Sequence, residues 1–276
     1  MKEIYFSGFN GKIGKILVEL LNKNGHRVIP VTRDHLNLNH KLEFNTLNEI
    51  QKSFFHFAWP LSESDYRNSD NNRSFLATSQ NFLSKYKSKF DDILVPGTIF
   101  ELPKHLRELS DETNPEPRCT YSESKLALSK WLLEENFKYS WPILPYILSS
   151  NDPIFKLVPT IMNAVISGKK SVRLTSPNIK RNFVHVSECA GMISACYEVG
   201  VFGRYLIGSD TNINSSQLVK EFGLSWTDVQ EDKFAREIEQ FLNFTKLHKG
   251  WKKSNTFDVN RGKQLHDMLV QEQRYS

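Results

Sequence analysis

The chain has 276 residues, 39% of them hydrophobic and 24% charged, with a formal net charge of +5. This composition excludes a disordered or low-complexity polymer and allows a large core with room for a second lobe. No apolar run approaches the roughly 20 residues that cross a bilayer, Lys and Arg are scattered among acids without a basic block, and Cys119, Cys189 and Cys196 have no metal-ligand spacing. A cytoplasmic protein in a reducing compartment is expected, with no membrane or nucleic-acid partner and no metal.

In chain order, residues 2–7 (KEIYFS) form an apolar and aromatic run that stops at Gly8, after which Ile13, Ile16, Leu17, Leu20 and Leu21 recur at helical spacing. A strand, a tight glycine turn and a helix are predicted. Gly25 ends the helix and 27–31 is a second strand, which completes a βαβ unit. Further strands are expected at 53–58, 92–96 and 141–147, separated by helical patterns at about 70–88 and 122–138. Such alternation predicts an α/β fold, a doubly wound parallel sheet with helices on both faces. Beyond Ser149 the spacing predicts a helix over 155–167 that ends at Gly168, a short strand at 172–174 and a helix over 187–199. A last strand of the main sheet at 204–207, a helix at 215–222 and a polar tail follow.

Gly8-Phe9-Asn10-Gly11-Lys12-Ile13-Gly14 has the spacing GxxGxxG. The first glycine permits the tight turn, the second lets a pyrophosphate approach the backbone, and the third lets the helix pack on the strand. Phosphate then lies on the free N–H groups and positive dipole end of the helix. With a strand before it and an amphipathic helix after it, the loop predicts a dinucleotide-binding Rossmann domain over 1–150, to which 183–210 returns, while 151–276 forms mostly a small C-terminal substrate-binding lobe. At the end of the second strand Arg33 favours the 2′-phosphate of NADP, and Asp34 one place later keeps NAD possible. Downstream, Tyr121-Ser122-Glu123-Ser124-Lys125 sets a Tyr and a Lys one helical turn apart, where an ammonium favours the ionised phenol and makes it usable as an acid near neutral pH.

With these two motifs the chain resembles the extended short-chain dehydrogenase/reductase family of NAD-dependent nucleotide-sugar epimerases, dehydratases and reductases, from residue 2 to about 222. The segment FHFAWP (55–60) looks like the family's fourth-strand end, where the Ala58 backbone lies beside the cofactor, and Asn72 matches an Asn often found in the next helix. GTIFEL (97–102) is similar to the version GTxxEY, which makes Thr98 the third catalytic residue. RNFVHVSECA (181–190) looks like RDFxHVxDxA, in which the Arg, here Arg181, meets the substrate diphosphate with a planar fork of donors, while His185 faces the interior. The resemblance implies cofactor contacts from Gly8, Asn10, Gly11, Ile13, Gly14, Arg33, Ala58, Asn72, Tyr121 and Lys125, and substrate contacts from Thr98, Asn151 and Arg181. It further implies a hydride passing between nicotinamide and a sugar carbon while Tyr121 moves the hydroxyl proton, Thr98 bonds the same oxygen, and Lys125 holds the ribose and lowers the tyrosine pKa.

A 4,6-dehydratase of this family carries an Asp-Glu pair directly after the Thr, where this chain has Ile99-Phe100, so dehydration is disfavoured. The expected reaction is NADPH-dependent reduction of a nucleoside-diphosphate 4-keto-6-deoxy sugar, for a surface glycan such as the O-antigen of lipopolysaccharide. A nucleotide-sugar epimerase with tightly bound NAD is the alternative, and a non-catalytic NAD(P)-binding sensor is a further one. Cys119 is either a proton-transfer residue or an inert thiol. The chain departs from the family at Pro145-Tyr146, at Ser149-Ser150-Asn151-Asp152-Pro153 and at Leu102, and its tail offers Lys252, Lys253 and Arg261 to a diphosphate. Apolar stripes on the helices at 70–88 (Phe75, Leu76, Phe82, Leu83) and 122–138 (Leu126, Leu128, Leu132, Leu133), which relatives pair across a dimer, imply a homodimer.

Overall fold

A computed structural model of the chain describes residues 1–44, 50–61, 65–174, 176–228, 240–243 and 261–274; Lys252 and Lys253 lie outside them. The first half runs β1 (Glu3–Ser7), α1 (Lys12–Lys23), β2 (Arg27–Val31), a short α2 (Arg33–Leu36), β3 (Lys52–His56) and α3 (Asn71–Tyr86). It continues through β4 (Asp92–Leu94), β5 (Gly97–Thr98), β6 (Glu108–Ser110), α4 (Thr120–Glu134), β7 (Tyr139–Leu144) and β8 (Tyr146–Leu148). The second half contains α5 (Leu157–Ile166), β9 (Ser171–Leu174), β10 (Lys180–Arg181), β11 (Phe183–His185), α6 (Val186–Glu198) and β12 (Gly203–Leu206). After these come β13 (Ile213–Asn214), α7 (Ser215–Glu221), β14 (Ser225–Asp228), β15 (Phe241–Asn243) and α8 (Arg261–Arg274). Among the described residues no helix is long and apolar enough to cross a membrane.

The main sheet is wholly parallel, in the order β2-β1-β3-β4-β7-β12, with β5 extending the ladder alongside the end of β7. Every residue of β1 is buried because the strand lies between two others and under helices, and this is why KEIYFS reads as a continuous apolar run rather than an alternating one. α1 packs on α6 and α3 on α4. The strand order reverses between β1 and β3, so a crevice opens at their carboxyl ends, the place where such sheets bind ligands. β2 closes one side of the sheet among the described residues; the Arg27 amide donates inward to the Lys2 carbonyl at 2.9 Å, so the alternate position, Pro30, faces outward. On the opposite side Asp111 accepts from the Leu206 amide of β12 at 2.7 Å.

One expected strand divides. Residues 141–147 are not a single strand: Pro145 has no N–H to continue the ladder, so β7 stays in the main sheet while β8 pairs with β11 outside it. A second apolar core gathers residues of α5, β9, α7 and α8, including Ile161, Val172, Leu218, Leu265 and Leu269, and Tyr146 packs against both cores. The stripes of α3 and α4 are largely spent inside the subunit, since Phe82, Leu83, Leu128 and Leu132 are fully buried, whereas Leu133 is 65% exposed.

Two buried polar clusters pin the frame. His56, at the end of β3, bonds Ser7 Oγ through Nδ1 (2.7 Å) and Ser79 Oγ through Nε2 (2.9 Å). The Ser79 hydroxyl donates to the Phe75 carbonyl at 2.8 Å, so it accepts from Nε2–H, and burial disfavours a second proton on the ring. In the other cluster, Glu272 of α8 accepts from the Ser149 hydroxyl (2.8 Å), the Ser150 amide (3.0 Å) and His185 Nε2 (3.2 Å). Burial alone would raise the Glu272 pKa, but hydrogen bonds from His185, Ser150 and Ser149 outweigh it and hold the value down to about 2.

Candidate active site

The glycine loop is shaped by contacts that leave no room for side chains. Gly8 has φ +78°, and a Cβ there would meet the Ala58 nitrogen at 2.5 Å. At Gly14 a Cβ would overlap the Gly8 carbonyl oxygen, so the third glycine is what lets α1 start directly against the turn. The Gly11 amide donates to the Gly8 carbonyl at 2.9 Å, and Gly11 caps α1 with no side-chain hydrogen bond, leaving the first amides of the helix to an anion. Asn10 is exposed and Ile13 half-buried beside them. At the end of β2, Arg33 is exposed in the first turn of α2, and its guanidinium makes no hydrogen bond or ion pair with a described residue. An uncapped helix end, a turn with glycine at each close approach and a free guanidinium together fit a dinucleotide with its pyrophosphate on α1. Lys12 spans from this loop to Asp152, in the turn after β8, with 2.6 Å between ammonium and carboxylate.

The sheet brings Thr98, Tyr121 and Lys125 together. Thr98 ends β5 and is 7% exposed; Tyr121 and Lys125, in the first turns of α4, are 9% and 2% exposed. The Tyr121 phenol is raised well above its ordinary pKa, chiefly by burial and then by Tyr66, Glu101 and Cys119, while a hydrogen bond with Thr98 works the other way. Burial pulls the Lys125 ammonium down to about 7, against an opposing pull from Glu101. The expected lowering of the tyrosine by its lysine is therefore not found. Lys125 Nζ stands 3.9 Å over the Trp59 ring, and desolvation dominates both groups.

Trp59 is itself fixed: its indole N–H donates to Asn72 Oδ1 at 2.8 Å. Asn72, 1% exposed, also donates to the carbonyls of Tyr66 (2.6 Å) and Ser69 (2.8 Å), so its amide is committed to the protein's own chain. Ala58 lies against Gly8 as described. Tyr66 comes edge-on to Tyr121 with 5.5 Å between ring centroids, and Trp59 does so at 6.1 Å, which walls the phenol with aromatic surface.

Beneath the triad lies the acid of the GTIFEL segment, to which the sequence reading assigned no role. Glu101 is fully buried, and its carboxylate accepts from the Thr98 amide (2.8 Å), Trp141 Nε1 (3.2 and 3.3 Å) and Arg204 Nη1 (2.7 Å). Arg204 is in register with Trp141 across β12 and β7. A Cβ on Gly97 would overlap Trp141 and Glu101, so that glycine makes space for the cluster. Burial raises the Glu101 pKa, and Arg204, the Thr98 amide and Trp141 oppose the rise.

A small pocket opens next to Ile99, the neighbour of Thr98, and is lined by Lys104, Arg118, Lys180 and Arg181 with Tyr146 and Gln240. Four cations suit a multiply anionic ligand. Arg118 donates to the Leu102 carbonyl at 2.7 Å and to Gln240 Oε1 at 3.1 Å; the Arg181 guanidinium lies 5.8 Å from the Tyr146 ring centroid. Asn151 is not on this lining: it is exposed in the turn next to Asp152, with its amide donating to Ser149 Oγ at 3.2 Å. Sequence reasoning missed Arg118, which adjoins the tyrosine motif but belongs to no wording of it.

No protein-family model matches the chain, and no curated protein matches it. Solved structures do. An NAD-dependent NDP-hexosamine 5,6-dehydratase of tunicamycin biosynthesis is similar with a TM-score of 0.78 at 14% identity, covering 98% of each chain. The UDP-glucose 4-epimerase of Thermotoga maritima is similar at 0.73 and 15% identity, over 99% of each chain. A GDP-6-OMe-4-keto-L-xylo-heptose reductase from C. jejuni is similar at 0.72 and 12% identity, over 98% of each chain. The described residues adopt the fold of these solved nucleotide-sugar enzymes, a Rossmann-type α/β fold with a mostly parallel central sheet.

Proposed function

We propose that the chain is a cytoplasmic NAD(P)-dependent enzyme of nucleotide-sugar metabolism, and more narrowly that it uses NADPH to reduce a nucleoside-diphosphate 4-keto-6-deoxy sugar destined for a surface glycan. The convergence of Thr98, Tyr121 and Lys125 at the strand ends beside the glycine loop carries this reading. When bound, the nicotinamide supplies the hydride. Tyr121 donates the proton to the oxygen that becomes the hydroxyl, Thr98 hydrogen-bonds the same oxygen, and Lys125 holds the ribose of the cofactor. Burial favours the protonated phenol, the form from which Tyr121 donates in a reduction. Gly8, Gly11 and Gly14 seat the pyrophosphate, Arg33 the 2′-phosphate, and Arg181 with Arg118 the diphosphate of the substrate.

Residues 1–150 then form the cofactor domain and the second core the substrate lobe. For assembly we propose a homodimer through the exposed side of α3 and α4, where Leu133 lies; a monomer mass by light scattering contradicts it. Epimerisation with retained NAD is the second reading, favoured by the exposed Asp34 next to Arg33 and by the fold shared with 4-epimerases. The experiment is loss of reduced-nicotinamide absorbance with NADPH or NADH and a panel of nucleoside-diphosphate 4-keto-6-deoxy sugars. Turnover that disappears in Tyr121→Phe while cofactor still binds supports the reading. No turnover, with NAD carried through purification, replaces it with the epimerase.

A further inference from the structure

The Lys125 side chain is 2% exposed, yet its ammonium makes no hydrogen bond or ion pair with a described residue. A cation taken out of water needs a compensating group. The group that meets it is the indole of Trp59, with Nζ 3.9 Å from the ring centroid, well inside the range at which a π face attracts a cation, and tryptophan is the side chain that does so most strongly. An indole face offsets the charge without engaging an N–H, so the donors of the ammonium stay available. Trp59 is itself locked. Its Nε1–H donates to Asn72 Oδ1 at 2.8 Å, and Phe75 packs against its ring edge to face with 5.1 Å between centroids. Asn72 spends its two amide hydrogens on the carbonyls of Tyr66 (2.6 Å) and Ser69 (2.8 Å), which fixes its oxygen as the acceptor for the indole.

We propose that Trp59, locked by Asn72, is a positioning residue for Lys125: the indole face takes the place of a hydrogen-bond acceptor and holds the ammonium where its donors can reach the ribose of the cofactor. The inference rests on the cofactor-binding role proposed above for Lys125. An acid or amide at position 59 would also steady the ammonium, but it would occupy a donor that the ribose hydroxyls need. An aliphatic side chain would fill the space and leave the cation uncompensated, so that Lys125 turns away or loses its proton. The indole avoids both outcomes. Asn72 then acts on the cofactor through two other side chains, since it fixes the indole and the indole fixes the ammonium. The same amide holds the Tyr66 carbonyl, so one anchor also sets the aromatic wall beside Tyr121.

The contact is read first in cofactor-free protein with lysine-selective ¹³C labelling at pH 6, where Lys125, with a midpoint of about 7, is an ammonium. Its Hε protons, identified by their absence in K125M, lie by the indole face and are expected upfield of the ordinary lysine position through the ring current; in W59L they return to it. Cofactor affinity is read separately, through the emission of NADPH itself. W59L is expected to weaken it by several-fold to about thirtyfold, and W59F, which keeps a smaller π face, by less. In the K125M background W59L should cost nothing further, because no ammonium remains to be held. An equal loss with and without Lys125, or Lys125 resonances that W59L does not move, overturns the inference and leaves Trp59 a wall of the site. N72A, which frees the indole, is expected to move resonance and affinity the same way and provides the answer if W59L does not fold. Wild type that binds neither NADPH nor NADH removes the functional reading instead, and the ring-current shift still decides whether Trp59 holds Lys125.

Discussion

His56 ends β3 with both ring nitrogens hydrogen-bonded and no exposure, and burial, helped by Lys125, holds its pKa down to about 3. An unfolded chain takes a proton on this ring below about pH 6.5, whereas the folded ring refuses it. Unfolding therefore takes up one proton in this window, and stability falls by about 1.4 kcal/mol per pH unit. The contribution is complete above pH 6.5 and is lost progressively down to the folded pKa. At pH 5 the loss is about 2 kcal/mol, and it approaches about 5 kcal/mol near pH 3. The perturbation is His56→Asn, which removes the titration along with the ring stacked on Phe54 and Phe75. Wild type is expected to be the more stable protein at pH 7, and its advantage, from urea unfolding followed by circular dichroism at pH 7, 6 and 5, should shrink by about 2 kcal/mol. Groups elsewhere titrate alike in both proteins and cancel. An advantage that stays constant between pH 7 and pH 5 refutes a neutral, buried His56.

Gly14→Ala forces a Cβ onto the Gly8 carbonyl, so the loop must open; cofactor affinity, read by quenching of tryptophan fluorescence, is expected to fall at least about tenfold, a loss of about 1.4 kcal/mol. Arg33→Asp replaces a free guanidinium by a group that repels a 2′-phosphate, and the ratio of kcat/KM for NADPH over NADH should drop; an unchanged ratio removes Arg33 from cofactor choice. Glu272→Ala is expected to destabilise the protein by roughly 1–3 kcal/mol at pH 7, because a charged acceptor of three hydrogen bonds is lost. As the folded carboxyl titrates near 2, below its unfolded value, this difference should be full above about pH 4.5 and vanish as pH falls through 2, which unfolding curves down the acid limb measure.

The parts of this fold legible in the sequence are those whose cause is local. GxxGxxG announces itself because each glycine answers to an atom of its own turn or of Ala58, and Tyr121 and Lys125 share a helix. Strand ends near Gly8, Thr98 and Arg33 follow from runs of apolar residues that stop. What the sequence conceals is pairing between distant residues: Glu101 with Arg204, Glu272 with His185, and Lys12 with Asp152 have no spacing rule to reveal them. The protonation states were concealed for the same reason. Four residues of separation correctly place an ammonium near a phenol, but burial, which no local pattern reports, decides the pKa values of both. Pro145 was visible as a departure from the family, and its missing N–H is enough to explain why one expected strand became β7 and β8.

A parallel sheet is a template at both its borders, because an outermost strand offers unpaired amides and carbonyls to any extended chain, including another copy of itself. Here each border is blunted by a different device. Pro30 removes a donor from the outward side of β2, and Asp111 occupies the Leu206 donor of β12 with a carboxylate that an incoming strand must displace. Among the described residues, an incoming strand thus meets a missing donor at Pro30 and an occupied one at Leu206. Replacing Pro30 by Val, harmless to the folded ladder, is the change that would expose the protein to fibrous aggregation.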